Sequence, residues 1–238
     1  MPDWKGLRIL NTRPLGQNEA LSQAISDAGG IPIECPALAI EPVDNDWWRA
    51  LGDLASIDWA LFISTNAVQF CFERIQVWPE SIRVAAVGQA TANALRHRGV
   101  RVDEVPLFAS SEDLLNLEAM QHVHDKTILL VKGENGRPLL ADTLTQRGAI
   151  VRPLVVYRRI LPVVDPVNIE SLWHDDAVDA IVFTSEEAMH HLFQLFGQKA
   201  YDWLRSKPCY VKSERLAKAA ADLGIITIII ILEKAVES

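Results

Sequence analysis

Paired cysteines, long apolar runs and an excess of positive charge are all missing from this chain, and each absence removes a class of protein. The cysteines, Cys35, Cys71 and Cys209, are odd in number and far apart, with no CxxC pair. A disulfide framework or thiolate metal site is not expected, and the three read as small buried hydrophobes in a reducing compartment. The longest apolar run, Ile225 to Leu232, has eight residues including one threonine. It is too short to span a bilayer, and its β-branched content predicts a buried strand. The opening MPDWKGLRIL lacks the charged-then-apolar pattern of a secretory signal. A cytoplasmic protein with no membrane partner is expected. Lysine and arginine number 23 against 31 aspartates and glutamates, for a net charge of -8. Nucleic acid is excluded as a general partner, because phosphate contact needs a basic face. An anionic small molecule would have to be held by local donors and dipoles.

Familiar catalytic signatures are missing too. There is no GxGxxG and no GxxxxGK[ST], so the phosphate cradles of dinucleotide and P-loop proteins are lacking, and Gly133 to Arg137 has the wrong spacing. There is no GxSxG elbow. The six histidines show no HExxH pattern, and the adjacent His190 and His191 point to different parts of a helix. All six read as solvated surface residues, and no metal site is expected. Trp47-Trp48 reads as packing under a helix, since no basic residues interleave to make a base-stacking platform.

What remains is an alternation of short β-branched runs with helical patterns, which signals α/β architecture with parallel sheets. Strands are predicted at Leu7–Asn11, Trp59–Ile63, Val84–Val87, Thr127–Lys132, Val178–Phe183 and Pro208–Val211. Helices are predicted near Gln17–Ala28, Asn66–Arg74, Thr91–Arg98, Glu112–Gln121, Pro138–Arg147, Glu186–Phe196 and Glu214–Leu223. These units recur. Asp58 to Val68 matches Asp179 to Met189 at an offset of 121, and Gly88 to Gly99 matches Ser213 to Gly224 at 125. Arg8 to Gly29 matches Thr127 to Gly148 more weakly at 119. With 238 residues, the duplication favours two similar α/β domains over one large sheet.

Small polar residues stand between strand and helix at Ser64-Thr65-Asn66, at Gly88 to Thr91 and at Thr184-Ser185. In open parallel sheets ligands bind at the carboxyl ends of strands, where helix N-termini offer unpaired N–H groups. Such ends suit carboxylates or phosphates. Each also fits the ordinary reading of a helix N-cap. Recurrence at equivalent places in both halves favours shared anion binding.

The ordered set of motifs resembles the uroporphyrinogen-III synthase family. It comprises Asn11-Thr-Arg-Pro14, Phe62-Ile-Ser-Thr-Asn-Ala-Val68, Val87-Gly-Gln-Ala-Thr-Ala-Asn-Ala-Leu95, Lys132-Gly-Glu-Asn-Gly-Arg137, Tyr157-Arg158-Arg159 and Phe183-Thr-Ser185. The resemblance implies two similar parallel-sheet α/β domains joined by a two-stranded connector, with a cleft between them. Domain one would take 1–36 and 162–238, domain two 41–154, and the connector strands 37–40 and 155–161. It implies a cofactor-free lyase of heme and tetrapyrrole biosynthesis, expected to be a monomer. That enzyme cyclises hydroxymethylbilane, with loss of water and inversion of ring D, to uroporphyrinogen III.

The resemblance further implies Tyr157 as general acid, at the family's motif tyrosine. Arg13, Ser64, Thr65, Asn66, Gly88, Thr91, Arg137, Thr184, Ser185 and Ser213 are the substrate-binding candidates. Two positions depart from the family pattern: Leu216 and Ile63 stand where threonines are common, so Ser213 would have to supply the hydroxyl lost at Leu216. A two-domain protein that binds an anionic tetrapyrrole or similar small molecule without chemistry would carry the same motifs.

Overall fold

The computed structural model describes residues 2–43, 46–47 and 54–231. β1 (Arg8–Asn11) leads into α1 (Glu19–Asp27), whose Leu21 and Ile25 are buried one turn apart. β2 (Ile31–Glu34) and β3 (Ala39–Pro42) follow. Next come β4 (Trp59–Phe62), α2 (Thr65–Phe72), β5 (Arg83–Ala86) and α3 (Gln89–His97). α4 (Ser111–Asn116) and α5 (Glu118–Gln121) precede β6 (Thr127–Gly133), α6 (Leu139–Gln146) and the long β7 (Ile150–Ile160). Beyond these lie α7 (Pro166–His174), β8 (Ala180–Phe183), α8 (Glu186–Phe196) and α9 (Tyr201–Ser206). β9 (Cys209–Val211), α10 (Glu214–Asp222) and β10 (Ile228–Ile230) end the described chain.

The chain divides into two α/β units, Met1–Ile40 with Ile160–Ser238 and Glu41–Arg159. The first holds a five-stranded sheet ordered β10-β9-β8-β1-β2, and the second a five-stranded sheet ordered β3-β7-β6-β4-β5. β8 and β1 pair in parallel with each other and with β9 and β2, and β9 pairs in parallel with β10. In the second sheet β4 pairs in parallel with β5 and β6, and β6 with β7. The interior strands β4 and β8 are buried at every position, as expected of parallel strands covered on both faces.

The internal repeat explains this likeness. β8 lies between β1 and β9 as β4 lies between β6 and β5. Asp179 and Asp58, equivalent in the repeat, precede β8 and β4 and clamp a neighbouring strand. Asp179 Oδ2 accepts the Arg8 backbone N–H at 2.7 Å, and Asp58 Oδ2 accepts the Thr127 N–H at 2.8 Å. Each carboxylate also holds a cation, the Arg8 guanidinium at 2.7 Å and the Lys126 ammonium at 2.9 Å. The matched glycines Gly99 and Gly224 stop α3 and α10 with φ of 76° and 85°, the left-handed conformation a side chain disfavours.

Three expectations are corrected. The run Ile225 to Leu232 is not a buried strand. Its strand, β10, is confined to Ile228–Ile230, where Ile229 and Ile230 stay 36% and 37% exposed because among the described residues only β9 pairs with it. Leu232 lies outside the described residues. The helix expected over Glu112–Gln121 breaks at Leu117, which is extended (φ -61°, ψ 139°). Side chains take up the freed carbonyl, since Gln121 and Arg147 donate to Leu115 O at 2.7 and 2.8 Å. His191 is half-buried rather than a solvated surface histidine, with Nδ1 3.0 Å from Ala37 O. Trp47 is buried, and Trp48 lies outside the described residues.

No described helix is long and apolar enough to cross a membrane. The hydrogen bond from Arg8 holds the Asp179 carboxyl down, from 3.8 to about 2. A carboxyl depressed in the folded state contributes stability above the unfolded value and loses it as pH falls through the folded one. Asp179→Asn is therefore expected to flatten the fall in melting temperature between about pH 4 and pH 2. An acid limb parallel to that of the native protein would contradict the clamp.

Candidate active site

In the second unit, polar groups gather where β4, β5 and β6 end. Ser64 follows β4 in extended conformation (φ -168°, ψ 160°) and caps α2, its Oγ accepting the Ala67 N–H at 3.0 Å. Thr65 is exposed at the first turn, whereas Asn66 is buried. Gly88 follows β5 and caps α3 without a side chain. A Cβ at Gly88 would come within 2.5 Å of the Ala109 Cβ, so the loop before α4 needs glycine there. Thr91, in the first turn of α3, is buried.

Tyr157 reaches the same group of residues from β7. Its hydroxyl lies 3.1 Å from Ser64 Oγ, across 93 residues of sequence. Only 3% of the residue is exposed. Phe70 of α2 stacks on its ring at a centroid distance of 5.8 Å, and the Arg159 guanidinium lies 5.9 Å from the ring centre. Arg137 is engaged elsewhere, because its guanidinium donates to both Glu112 carboxylate oxygens at 2.8 and 3.0 Å.

The first unit repeats the arrangement at the ends of β1, β8 and β9. Ser185 caps α8 by accepting the Ala188 N–H at 3.2 Å, with half-buried Thr184 just before it. Ser213 caps α10, accepting the Leu216 N–H at 3.3 Å. Beside them, Asn11 and Thr12 are fully buried and fully engaged. Asn11 Nδ2 donates to Asn18 O and Ser22 Oγ, both at 2.9 Å, and Thr12 Oγ1 donates to Val182 O at 2.9 Å. This network fixes the turn that carries Arg13. The Arg13 backbone N–H is anchored on Asn11 Oδ1 at 3.1 Å. Burial lowers the pKa of its guanidinium, and no described side chain pairs with it. A desolvated, unpaired cation at a strand end is suited to an incoming carboxylate.

Sequence reasoning passed over Asn11 and Thr12, although the motif Asn11 to Pro14 contains them, because their work is to brace Arg13. Gly133 and Phe70, both against Tyr157, were also passed over. The cysteines supply no nucleophile, since burial pushes the thiols of Cys35 and Cys71 up to about 12 and that of Cys209 to about 11. Among the described residues no group of three or more His, Cys, Asp or Glu is placed to hold a metal ion.

Two α/β units, each with capped helices at the ends of its parallel strands, define a two-domain α/β protein. The chain belongs to the uroporphyrinogen-III synthase family, a family of lyases: the sequence profile described as Uroporphyrinogen-III synthase HemD matches residues 19–237. The uroporphyrinogen-III synthase of Salmonella typhimurium is 34% identical over 92% of this chain and 92% of its own. That of Escherichia coli is 31% identical, with the same two coverages of 92%. The fold is shared with a variant uroporphyrinogen III synthase from Thermus thermophilus (TM-score 0.61, 23% identity, 97% of this chain and 95% of that one). It is shared equally with the Helicobacter pylori uroporphyrinogen-III synthetase (TM-score 0.62, 17% identity, 94% and 92%).

If Arg13 is held for a ligand rather than for the fold, its removal relieves desolvation. Arg13→Met is expected to leave the melting temperature unchanged or to raise it by a few degrees, and a clear drop would mark Arg13 as structural.

Proposed function

We propose that the chain converts hydroxymethylbilane into uroporphyrinogen III, with Tyr157 as general acid and the polar strand ends holding the substrate's carboxylate arms. Protonation of the terminal hydroxyl by Tyr157 releases water and leaves an azafulvenium cation beside the phenolate. The last pyrrole attacks through its already substituted carbon to give a spiro intermediate. Fragmentation and reclosure then invert ring D. The pyrrole carbon that closes the ring gives up a proton, which restores the phenol, so the balance is loss of one water. Simple closure of the same chain gives the symmetric type I isomer, so the protein's task is mainly to hold a floppy molecule in one geometry.

The single observation that carries this reading is the Tyr157 hydroxyl held 3.1 Å from Ser64 Oγ at the mouth of α2. That cap, the Gly88, Ser185 and Ser213 caps, and the neighbours Thr65, Asn66, Thr91 and Thr184 offer hydroxyls and amide dipoles to carboxylates. Arg13 adds a charge, and Arg137 joins only by exchanging Glu112 for substrate. On this reading the protein works as a monomer in a reducing cytoplasm, where its three cysteines stay free and buried.

Incubation with freshly generated hydroxymethylbilane should yield the type III isomer. Type I alone would leave a binding protein without chemistry. Tyr157→Phe is expected to lower kcat by about a hundred-fold with KM nearly unchanged, because the phenol acts only as charge develops on the leaving oxygen. Full turnover by that variant would remove the acid assignment. Arg13→Met, in contrast, should raise KM by about ten-fold with little change in kcat, the signature of uniform binding.

A further inference from the structure

Gly133, the last residue of β6, is packed against the Tyr157 ring. A Cβ at Gly133 would lie 2.5 Å from Tyr157 Cζ, 2.6 Å from Cε2 and 2.9 Å from the phenol oxygen. Gly133 does not have a positive φ, so its backbone would accept any residue. What demands glycine is the room taken by the phenol end of the ring.

The pairing of β6 with β7 shows how that ring arrives. From Thr127 to Lys132 the register advances one residue at a time, ending with Lys132 opposite Val155. At the next step it slips, and Gly133 stands opposite Tyr157, with Val156 as the extra residue. A bulge of this kind re-aims a side chain. Without it Gly133 would face Val156, and Tyr157 would take the alternate side of the strand. The slipped register is closed by the Glu134 N–H donating to Tyr157 O at 2.9 Å. Phe70, stacked on the ring, and Ser64, at the hydroxyl, complete the seat.

The geometry points to Gly133 as a positioning residue for the reaction: its missing side chain and the adjoining bulge set the Tyr157 hydroxyl against the Ser64 cap. We propose that in this seat the Ser64 hydroxyl donates to the phenol oxygen while accepting the Ala67 N–H. The phenol proton is then free for the departing hydroxyl, and the charge left behind is met by the N-terminus of α2. The inference rests on the reading of Tyr157 as the acid.

The test is Gly133→Ala, assayed with hydroxymethylbilane alone and in a double-mutant cycle with Tyr157→Phe. The expected result is a drop in kcat of roughly ten- to hundred-fold, with KM within about two-fold. In the Tyr157→Phe background the same change should cost no further kcat, since there is no phenol left to misplace. Should Gly133→Ala not fold, Gly133→Ala with Phe70→Leu gives the ring room to retreat, and a low kcat is expected there too. Native kcat in either folded variant, or an equal further loss in the Tyr157→Phe background, would overturn the assignment. Native turnover by Tyr157→Phe itself would instead sink the reading of Tyr157 as acid, so the two failures are told apart.

Discussion

Parallel strands of one sheet end on one edge, and each unit is built on that constraint. In the second unit the ends of β4, β5 and β6 bring Ser64, Gly88 and Gly133 to a single edge, where β7 adds Tyr157. In the first, β1, β8 and β9 do the same for Arg13, Thr184, Ser185 and Ser213. Each helix that starts there opens with amide groups its own backbone cannot satisfy. Serine hydroxyls take up one amide apiece, and the proposed function assigns the others to carboxylates. On that proposal a protein of net charge -8 receives a substrate of the same sign through local dipoles rather than a basic surface.

The opposite edge of each sheet has a different duty. Asp58 and Asp179 tie the first residue of the neighbouring strand and hold a cation besides. These ties pin the register of β6 on β4 and of β1 on β8, so the far ends of the strands arrive in step. The duplicated unit thus carries its structural carboxylate at the amino end of β4 or β8 and its capping serine at the carboxyl end.

Much of this was legible in the sequence because the repeat was. Asp58 and Asp179 head matching segments, and the polar residues after β4 and β8 sit at matching distances from them. Chemistry confined to short range was readable in the same way, from glycine stops to serine caps. Other elements were not. β2 carries Pro32 and lies at an edge, which hides it from a search for continuous apolar runs. α7 was missed although Asp165 caps it and Pro166 opens it, because its apolar residues bury little beyond Ile169. The isoleucines of β10 look like core in isolation, and only the sheet order shows them to be marginal. The meeting of Tyr157 with Ser64 was beyond reach, since it depends on a one-residue slip between β6 and β7 that no local pattern records.

On the proposed function, the tetrapyrrole meets the carboxyl edges of the sheets. Backbone amide NMR of the protein titrated with uroporphyrinogen III tests it most directly. The largest shifts are expected at first-turn amides that no serine takes up, Thr65 with Gly88 in one unit and Glu186 and Glu214 with Arg13 in the other. Shifts confined to one unit, or centred at the amino ends of the strands around Asp58 and Asp179, would contradict it.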